Sequence, residues 1–404
     1  MSQPLTFLCI STYFKGQDFL RACKQAGNIV YLVTRKVLEH EPWPRESVDE
    51  FFYIESDDNS PENLAKLAEG TAWLLRSRKV DRIVALDDFD VEKATFLREQ
   101  FRIPGMGQTT GRYFRDKLAM RTKAAEAGIP VPSFSALFND EAINQYTLRN
   151  SPPWVVKPRA EASATGIKKV HSVEELWQVL EGLGEDRHRY LIEQFKPGDV
   201  YHADALTVGG KVLFCRVSRY LNTPLEVAHG GGIFRSHIIS FGSEEDKALQ
   251  KLNADVMKAF GMQFSASHTE FIKCQEDGQF YFLETSSRVG GAHLAEMVEI
   301  SSGINLWSEW AKLENAIARR ESYQLPSVRQ DYAGIIVSLS RFQHPDDSSF
   351  NDPEIAWRLR KDHHIGLIVK SATRERVLEL LNNYAERIGR DFHASAPADK
   401  KPSH

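Results

Sequence analysis

The pattern of apolar and polar positions begins as strand, helix, strand. LTFLCIS (5–11) and IVYLVT (29–34) are short apolar runs that read as strands. The spacing between them predicts a helix over Asp18–Ala26. Helices over Pro61–Arg78 and Val91–Phe101 then flank the strand RIVAL (82–86). This alternation predicts an open parallel α/β sheet. The first strand is followed by STYFKGQDF, with one glycine and no G-x-G-x-x-G, so NAD or FAD binding is not expected there.

Beyond residue 104 the pattern changes. PGMGQTTGR (104–112) reads as a loop, and RDKLAMRTKAAEAG has helical spacing ending at Gly128, with IPVP as its stop. Pro152-Pro153 opens a strand, WVVKP, and IKKV comes after a loop of small residues. A helix over Val173–Leu183 leads to the strand YLIEQF, and YHADALTVGGKVLFCRVSRY is a hairpin about Gly209-Gly210. After HGGGIFRSH come helices over Glu244–Phe260, Gly291–Ser301 and Asn305–Arg320. Residues 329–392 mix the strands YAGIIVSLS and HIGLIVK with a helix over Thr373–Ile388. The tail ASAPADKKPSH is polar and rich in Pro and Lys, the composition of a disordered segment.

Within this pattern His268–Arg288, HTEFIKCQEDGQFYFLETSSR, stands out. Two apolar and aromatic runs flank Glu-Asp-Gly, which predicts a hairpin. A turn centred on Asp277 sets Glu270 directly opposite Glu284. Side chains alternate along a strand, so His268, Glu270, Glu284, Ser286 and Arg288 then share one face. Opposed like charges destabilise a sheet. A hard divalent cation such as Mg²⁺, which takes carboxylate oxygens, would remove that repulsion. Two glutamates on a solvated face are the alternative, and a strict two-residue Asp-Gly turn would separate them.

Composition narrows the class. The 404 residues suffice for more than one domain, and 51 Lys and Arg against 55 Asp and Glu leave a formal net charge of −4. Neither nucleic acid nor an anionic membrane is an expected partner. No signal peptide or apolar run of membrane-spanning length is seen. Cys9, Cys23, Cys215 and Cys274 are scattered without CxxC pairing, which predicts a cytoplasmic location. HExxH and G-x-S-x-G are missing, zinc is not expected, and His363-His364 reads as a surface turn.

Other positions gain meaning beside the glutamates. Lys157 ends WVVKP, and burying it requires an anion. The adjoining Ser163, Ala164, Thr165 and Gly166 are small enough for backbone N–H groups to approach a phosphate chain; an edge-strand lysine and an ordinary loop are the alternative. Lys117 is by default a solvated helix lysine. The bend after YLIEQF, at Lys-Pro-Gly, exposes backbone for an adenine edge, with Glu193 and Asp199 nearby. Arg288 precedes Val-Gly-Gly and a helix, a setting for a carboxylate or oxyanion as much as for a structural ion pair. The glycines of HGGGIF suit a lid or a close ligand, with Glu226 and His229 on the shoulder.

The order of these features resembles the ATP-grasp superfamily over residues 105–310, with 1–108 similar to the domain that usually precedes the grasp. HTEFIKCQEDGQFYFLETSSRVGGAHLAEMVE is the most specific stretch. It resembles the E…E-x-N-x-R segment of biotin carboxylase, carbamoyl phosphate synthetase and the L-amino acid ligases. The resemblance implies a mixed α/β and α+β fold: an N-terminal open parallel α/β domain (1–108), an ATP-grasp N-terminal part with the lid (109–200), a catalytic part (201–325), a C-terminal α+β subdomain (326–392) and a tail (393–404). It further implies that Lys117 and Lys157 bind ATP phosphates under a Ser163–Gly166 lid. Glu193, with the backbone of Gln194 and Phe195, would hold adenine. Glu270 and Glu284 would ligate Mg²⁺ (or Mn²⁺), Arg288 would steady an acyl phosphate, and Glu226 and His229 would lie near an amino acid. The sequence departs twice: Ser286 replaces the metal-binding asparagine, and Val200 stands where relatives place a ribose-binding glutamate, so Asp199 is the substitute.

The implied reaction joins a small-molecule carboxylate, activated by ATP as an acyl phosphate, to an amine; two amino acids are candidate substrates. Relatives are often dimers, which leaves a homodimer open for this chain. The competing expectations are bicarbonate activation and a non-catalytic nucleotide-binding regulator.

Overall fold

The computed structural model describes residues 3–161 and 165–395, and the backbone alone at 228–230. Its strands form three sheets in chain order. The first holds β1 (Thr6–Ile10), β2 (Ile29–Arg35), β3 (Glu50–Ile54) and β4 (Arg82–Ala85), all parallel, in the order β3-β2-β1-β4. The predicted strands and helices are present; β3, whose FFYI stretch is half-buried at the sheet edge, is an addition. PGMGQTTGR also differs, since Gln108–Arg112 is a short helix rather than loop.

The second sheet is antiparallel, β5-β8-β6-β7, from β5 (Phe134–Ala136), β6 (Trp154–Pro158), β7 (Lys168–Val170) and β8 (Tyr190–Gln194). Helices Asp140–Arg149 and Val173–Leu183 close its apolar side around Trp154, Ile143 and Leu176.

The third is an eight-stranded antiparallel sheet made of β9 (Gly198–Val208), β10 (Lys211–Tyr220), β11 (Phe234–Ile238), β12 (Phe264–Cys274), β13 (Phe280–Ser286), β14 (Tyr332–Leu339), β15 (Ile355–Arg358) and β16 (His364–Ser371). Its order is β13-β12-β9-β10-β11-β14-β16-β15. The expected division at residue 200 therefore cuts β9. Segment 326–392 continues the large sheet through pairs such as Phe234↔Val337 instead of building a sheet of its own.

One helix covers the large sheet, and a pair of helices joins it to the parallel sheet. Helix Glu244–Ala259 covers one face of β9, β10, β12 and β13, where Tyr201, Val217, Phe271 and Phe282 meet Phe260 and Met257. Helices Gln17–Gln25 and Leu306–Arg319 share a core with β1 and β12, and Phe19 meets Trp310 edge-on at 5.0 Å. This fixes the C-terminal end of β4 against the end of β13. Among the described residues no helix is long and apolar enough to cross a membrane.

Candidate functional site

Glu270 stands directly opposite Glu284, and His268 opposite Ser286. The register is reached by an indirect route. Cys274 N–H donates to Gln279 O at 2.9 Å, closing the loop Gln275–Gly278. An even loop of that kind would set the glutamates on opposite faces. A bulge at Leu283, where pairing steps from Glu270↔Glu284 to Phe271↔Phe282, restores the shared face. The carbonyl of Leu283 accepts instead from Arg121.

The cations come from the helix Lys117–Glu126 and from β6. Asp116 caps that helix, accepting from Leu118 N–H at 3.0 Å, and pairs with Arg159. Lys117, at the first turn, reaches Glu284 at 2.8 Å and the Glu161 carbonyl at 2.6 Å. Burial alone would raise the Glu284 carboxyl, but Lys117 foremost brings it down to about 2. Lys157 is buried and meets Glu193 Oε1 at 2.5 Å, while Arg121 holds Glu193 Oε2 at 2.9 Å. Burial pulls Lys157 down to about 8, against the opposing effect of Glu193.

A buried chain stands behind Glu270. Its carboxylate accepts from Tyr220 Oη at 2.9 Å and lies 3.7 Å from His268 Nε2. His268 Nδ1 is 2.8 Å from Asp204 Oδ1, and His202 Nδ1 is 2.7 Å from Asp204 Oδ2. His202 Nε2 meets Ser236 Oγ at 2.8 Å. Burial works against charge on both groups. Even so, the histidines hold Asp204 well below the carboxylate range, and Asp204 raises His268 to about 10. These ligand-type atoms lie within 4.8 Å of one another, as in a metal site, but the hydrogen bonds already match them. Gly290 lies so close that a Cβ there would be 2.7 Å from Asp204 Oδ1.

Arg288 crosses to the parallel unit. Its Nε donates to Asp88 Oδ2 at 3.0 Å, and a second guanidinium nitrogen meets the same oxygen. Asp88 comes after β4 in the run Asp87–Asp90, where Lys15 holds Asp87 at 2.5 Å and Thr12 N–H holds Asp90 at 2.8 Å. Asp88 Oδ1 is buried with no hydrogen-bond partner among the described residues.

The other expected residues divide between structural duties and positions away from the pair. Both Glu193 oxygens already accept from cations of the protein, Oε1 from Lys157 and Oε2 from Arg121. Gln194 N–H donates to Ser133 O at 2.8 Å and Phe195 N–H to Pro153 O at 3.1 Å. Asp199 lies on the opposite face of β9 from His202, since it pairs with Lys273 while His202 pairs with Glu270. It forms an ion pair with Arg219 at 2.8 Å, away from the glutamate pair, and Val200 is buried. Ser286 Oγ faces the His268 carbonyl at 3.5 Å. Gly166 turns with φ 72°, beside Thr165, and a Cβ on it would lie 3.0 Å from Pro158. Ser163 and Ala164 fall outside the described residues. Glu226 is exposed, and its carboxylate closes a capping box with Thr223 N–H at 2.8 Å on helix Pro224–Gly230. The side chain of His229 lies outside the described residues.

Arg121, Asp88, Tyr220 and Asp204 join the expected residues here, Tyr220 and Asp204 through Glu270 and His268. One signal for the last was available: His202 and Asp204 alternate along YHADAL, polar positions on a strand otherwise apolar.

Among known proteins, the sequence family described as "D-ala D-ala ligase C-terminus" matches residues 124–206. An L-arginine-specific L-amino acid ligase of Bacillus subtilis is 29% identical over 240 residues, 58% of this chain and 57% of that protein. The match thus spans little more than half of the relative's length. Among solved structures, an L-amino acid ligase from Bacillus licheniformis superposes with a TM-score of 0.76 at 17% identity, covering 97% of this chain and 99% of that one. The biotin carboxylase domain of Hydrogenobacter thermophilus 2-oxoglutarate carboxylase, solved with MgADP and bicarbonate, gives a TM-score of 0.70 at 17% identity, covering 98% and 91%.

Proposed function

We propose that this chain, which has the ATP-grasp fold, is an ATP-dependent ligase that joins a small-molecule carboxylate to an amine through an acyl phosphate. The observation that carries the reading is the opposed Glu270–Glu284 pair with Lys117 on one of its members. Two carboxylates on adjacent strands form an all-oxygen donor set, which fits Mg²⁺. Ser286 adds a weaker neutral oxygen. When bound, the cation neutralises charge on the phosphates during transfer.

The protein's own groups supply the rest. Lys117 and Lys157 lie at the phosphates, and Glu193 with Arg121 fixes Lys157 rather than contacting the base. The adenine amino group then falls to backbone carbonyls about Gln194–Phe195, and the ribose is left without an acidic partner on the glutamate face. A carboxylate substrate takes the γ-phosphoryl group as ADP leaves, and Arg288 holds the developing negative charge. Attack by the free amine expels phosphate and forms the amide. Water is kept out by closure of the segment around Thr165 and Gly166. Amino acids fit both substrate roles, and the four free cysteines suit a reducing cytoplasm.

The test is ADP release from the purified full chain against pairs of amino acids and simple amines, with mass detection of products. Amide formation matched to ADP supports the proposal. ADP release driven by bicarbonate alone, or no release despite ATP binding, would replace it with a carboxylase or a nucleotide-binding regulator.

A further inference from the structure

A second concentration of charge lies at the other end of the parallel sheet. A cleft of about 940 Å³ opens around the start of β4, lined by Arg76, Arg78, Lys79, Arg82, Arg102 and Arg320. Asp81 is the one acidic residue of its lining. The end of β4 that carries Asp88 and faces Arg288 is the opposite one, so this cleft is separate from the glutamate site.

Three of the six cations are matched within the protein. Arg78 pairs with Glu50, Lys79 with Asp81, and Arg82 with the buried Glu314. Arg76, Arg102 and Arg320 are exposed, and their guanidinium groups have no hydrogen-bond or ion-pair partner among the described residues. Arg102 is within electrostatic reach of Glu99, but that carboxylate is taken by Gln108 at 2.7 Å and 2.8 Å. Beneath the cleft Arg98 donates to the Ile83 and Met106 carbonyls at 2.9 Å and 3.2 Å, and burial pushes it down to about 10.

The backbone adds an independent observation. Each unmatched arginine caps the C-terminus of a helix: Arg76 after Pro61–Leu75, Arg102 after Val91–Phe101 and Arg320 after Leu306–Arg319. Arg102 and Arg320 sit there at φ 56° and 59°, the left-handed region. Glycine is the usual occupant of that position, because a Cβ is strained in it. Cations do complement helix C-termini. That effect explains a charge near each end, but it does not require the strained cap position itself or three such charges around one cleft. In a chain of net charge −4 this is a local reversal of sign.

We propose that the cleft is an anion-binding site for a small molecule carrying two or more phosphate or carboxylate groups, gripped by Arg76, Arg102 and Arg320. Guanidinium groups bind both kinds of oxyanion with paired N–H donors. The volume lies in the usual span of ligand pockets, roughly 300–1,000 Å³, and exceeds the needs of a single inorganic ion. Arg76 and Arg102 belong to the parallel unit, whereas Arg320 ends helix Leu306–Arg319, the second of two between β13 and β14 of the large sheet. A bound polyanion therefore ties the two together and stabilises the whole chain.

The test is thermal melting of the full chain with tripolyphosphate and, separately, with citrate, at ionic strength matched with NaCl. The wild type should show a saturable rise in melting temperature with at least one of them; which one tells phosphate from carboxylate ligands. Arg102→Gly/Arg320→Gly should weaken that response by about tenfold or more, a loss of charge-assisted contacts. Its melting temperature without anion should equal or exceed the wild type's, because glycine suits the left-handed caps. The same response midpoint in both proteins, or none at matched ionic strength, would overturn the proposal. So would a lower anion-free melting temperature in the variant, which would make the arginines supports for the helix ends. A response kept in the double variant and lost in Lys157→Ala belongs to the nucleotide phosphates and also overturns it.

Discussion

Glu193 and Glu284 are both strand glutamates paired with lysines, yet they leave different amounts of chemistry for a ligand. The Glu193 side chain is 7% exposed, and each of its oxygens faces a cation of the protein, Lys157 or Arg121. The Glu284 side chain is 35% exposed and meets Lys117 through one oxygen, with Glu270 across the strand gap. A carboxylate that is buried with a cation of the protein on each oxygen holds architecture. One with capacity left, facing a like charge, is poised to take a cation. The ion pair alone does not separate the two; the count of remaining partners does.

Substitutions at the two glutamates therefore should part company. The largest effect is expected at the open one. Glu284→Gln should lower Mg²⁺-dependent ADP formation about a thousandfold, the scale of a lost electrostatic stabiliser, with an unchanged circular dichroism spectrum and a smaller loss of melting temperature than the Glu193 variant shows. Arg288→Ala should cut product formation by about 10²–10³ while ATP affinity measured by calorimetry stays the same. At the closed glutamate the loss should be one of stability. Glu193→Gln leaves Lys157 and Arg121 without their anion, a change of about 3–5 kcal/mol in urea unfolding. Equal melting of the Glu193 and Glu284 variants would erase the distinction.

The smallest effect is a pH dependence at Lys157. In the folded chain it loses its proton near pH 8, against 10.5 ordinarily, so ATP affinity should fall above about pH 8. Lys157→Arg, which stays charged, should flatten that profile. Between the two values the unfolded chain binds the extra proton, so stability should rise with pH there. The depressed Glu284 carboxyl acts in the opposite range: its contribution is present above the ordinary 4.5 and lost as pH falls toward about 2.

The same contrast explains what could be read from the chain. The opposed pair was legible because strand alternation and a short loop are local. The loop itself was not, since the even Gln275–Gly278 turn works only with the bulge at Leu283, whose carbonyl is taken by Arg121 from another element. Glu193 read as an adenine contact because Lys157 is 36 and Arg121 72 positions away. Asp88 meets Arg288 across 200 residues, and only packing of the parallel unit on the large sheet brings them together. The alternating pattern defined the parallel sheet well, whereas β3, β5 and β15 are short and half-buried and leave a weaker trace.

Binding of Mn²⁺ in the presence of ADP, monitored by electron paramagnetic resonance, tests the opposed carboxylates most directly. The wild type should hold Mn²⁺·ADP, and Glu270→Gln/Glu284→Gln should lose the bound-ion signal while remaining folded. Undiminished Mn²⁺·ADP binding by that double variant would contradict the account, because the ion would then be held somewhere else.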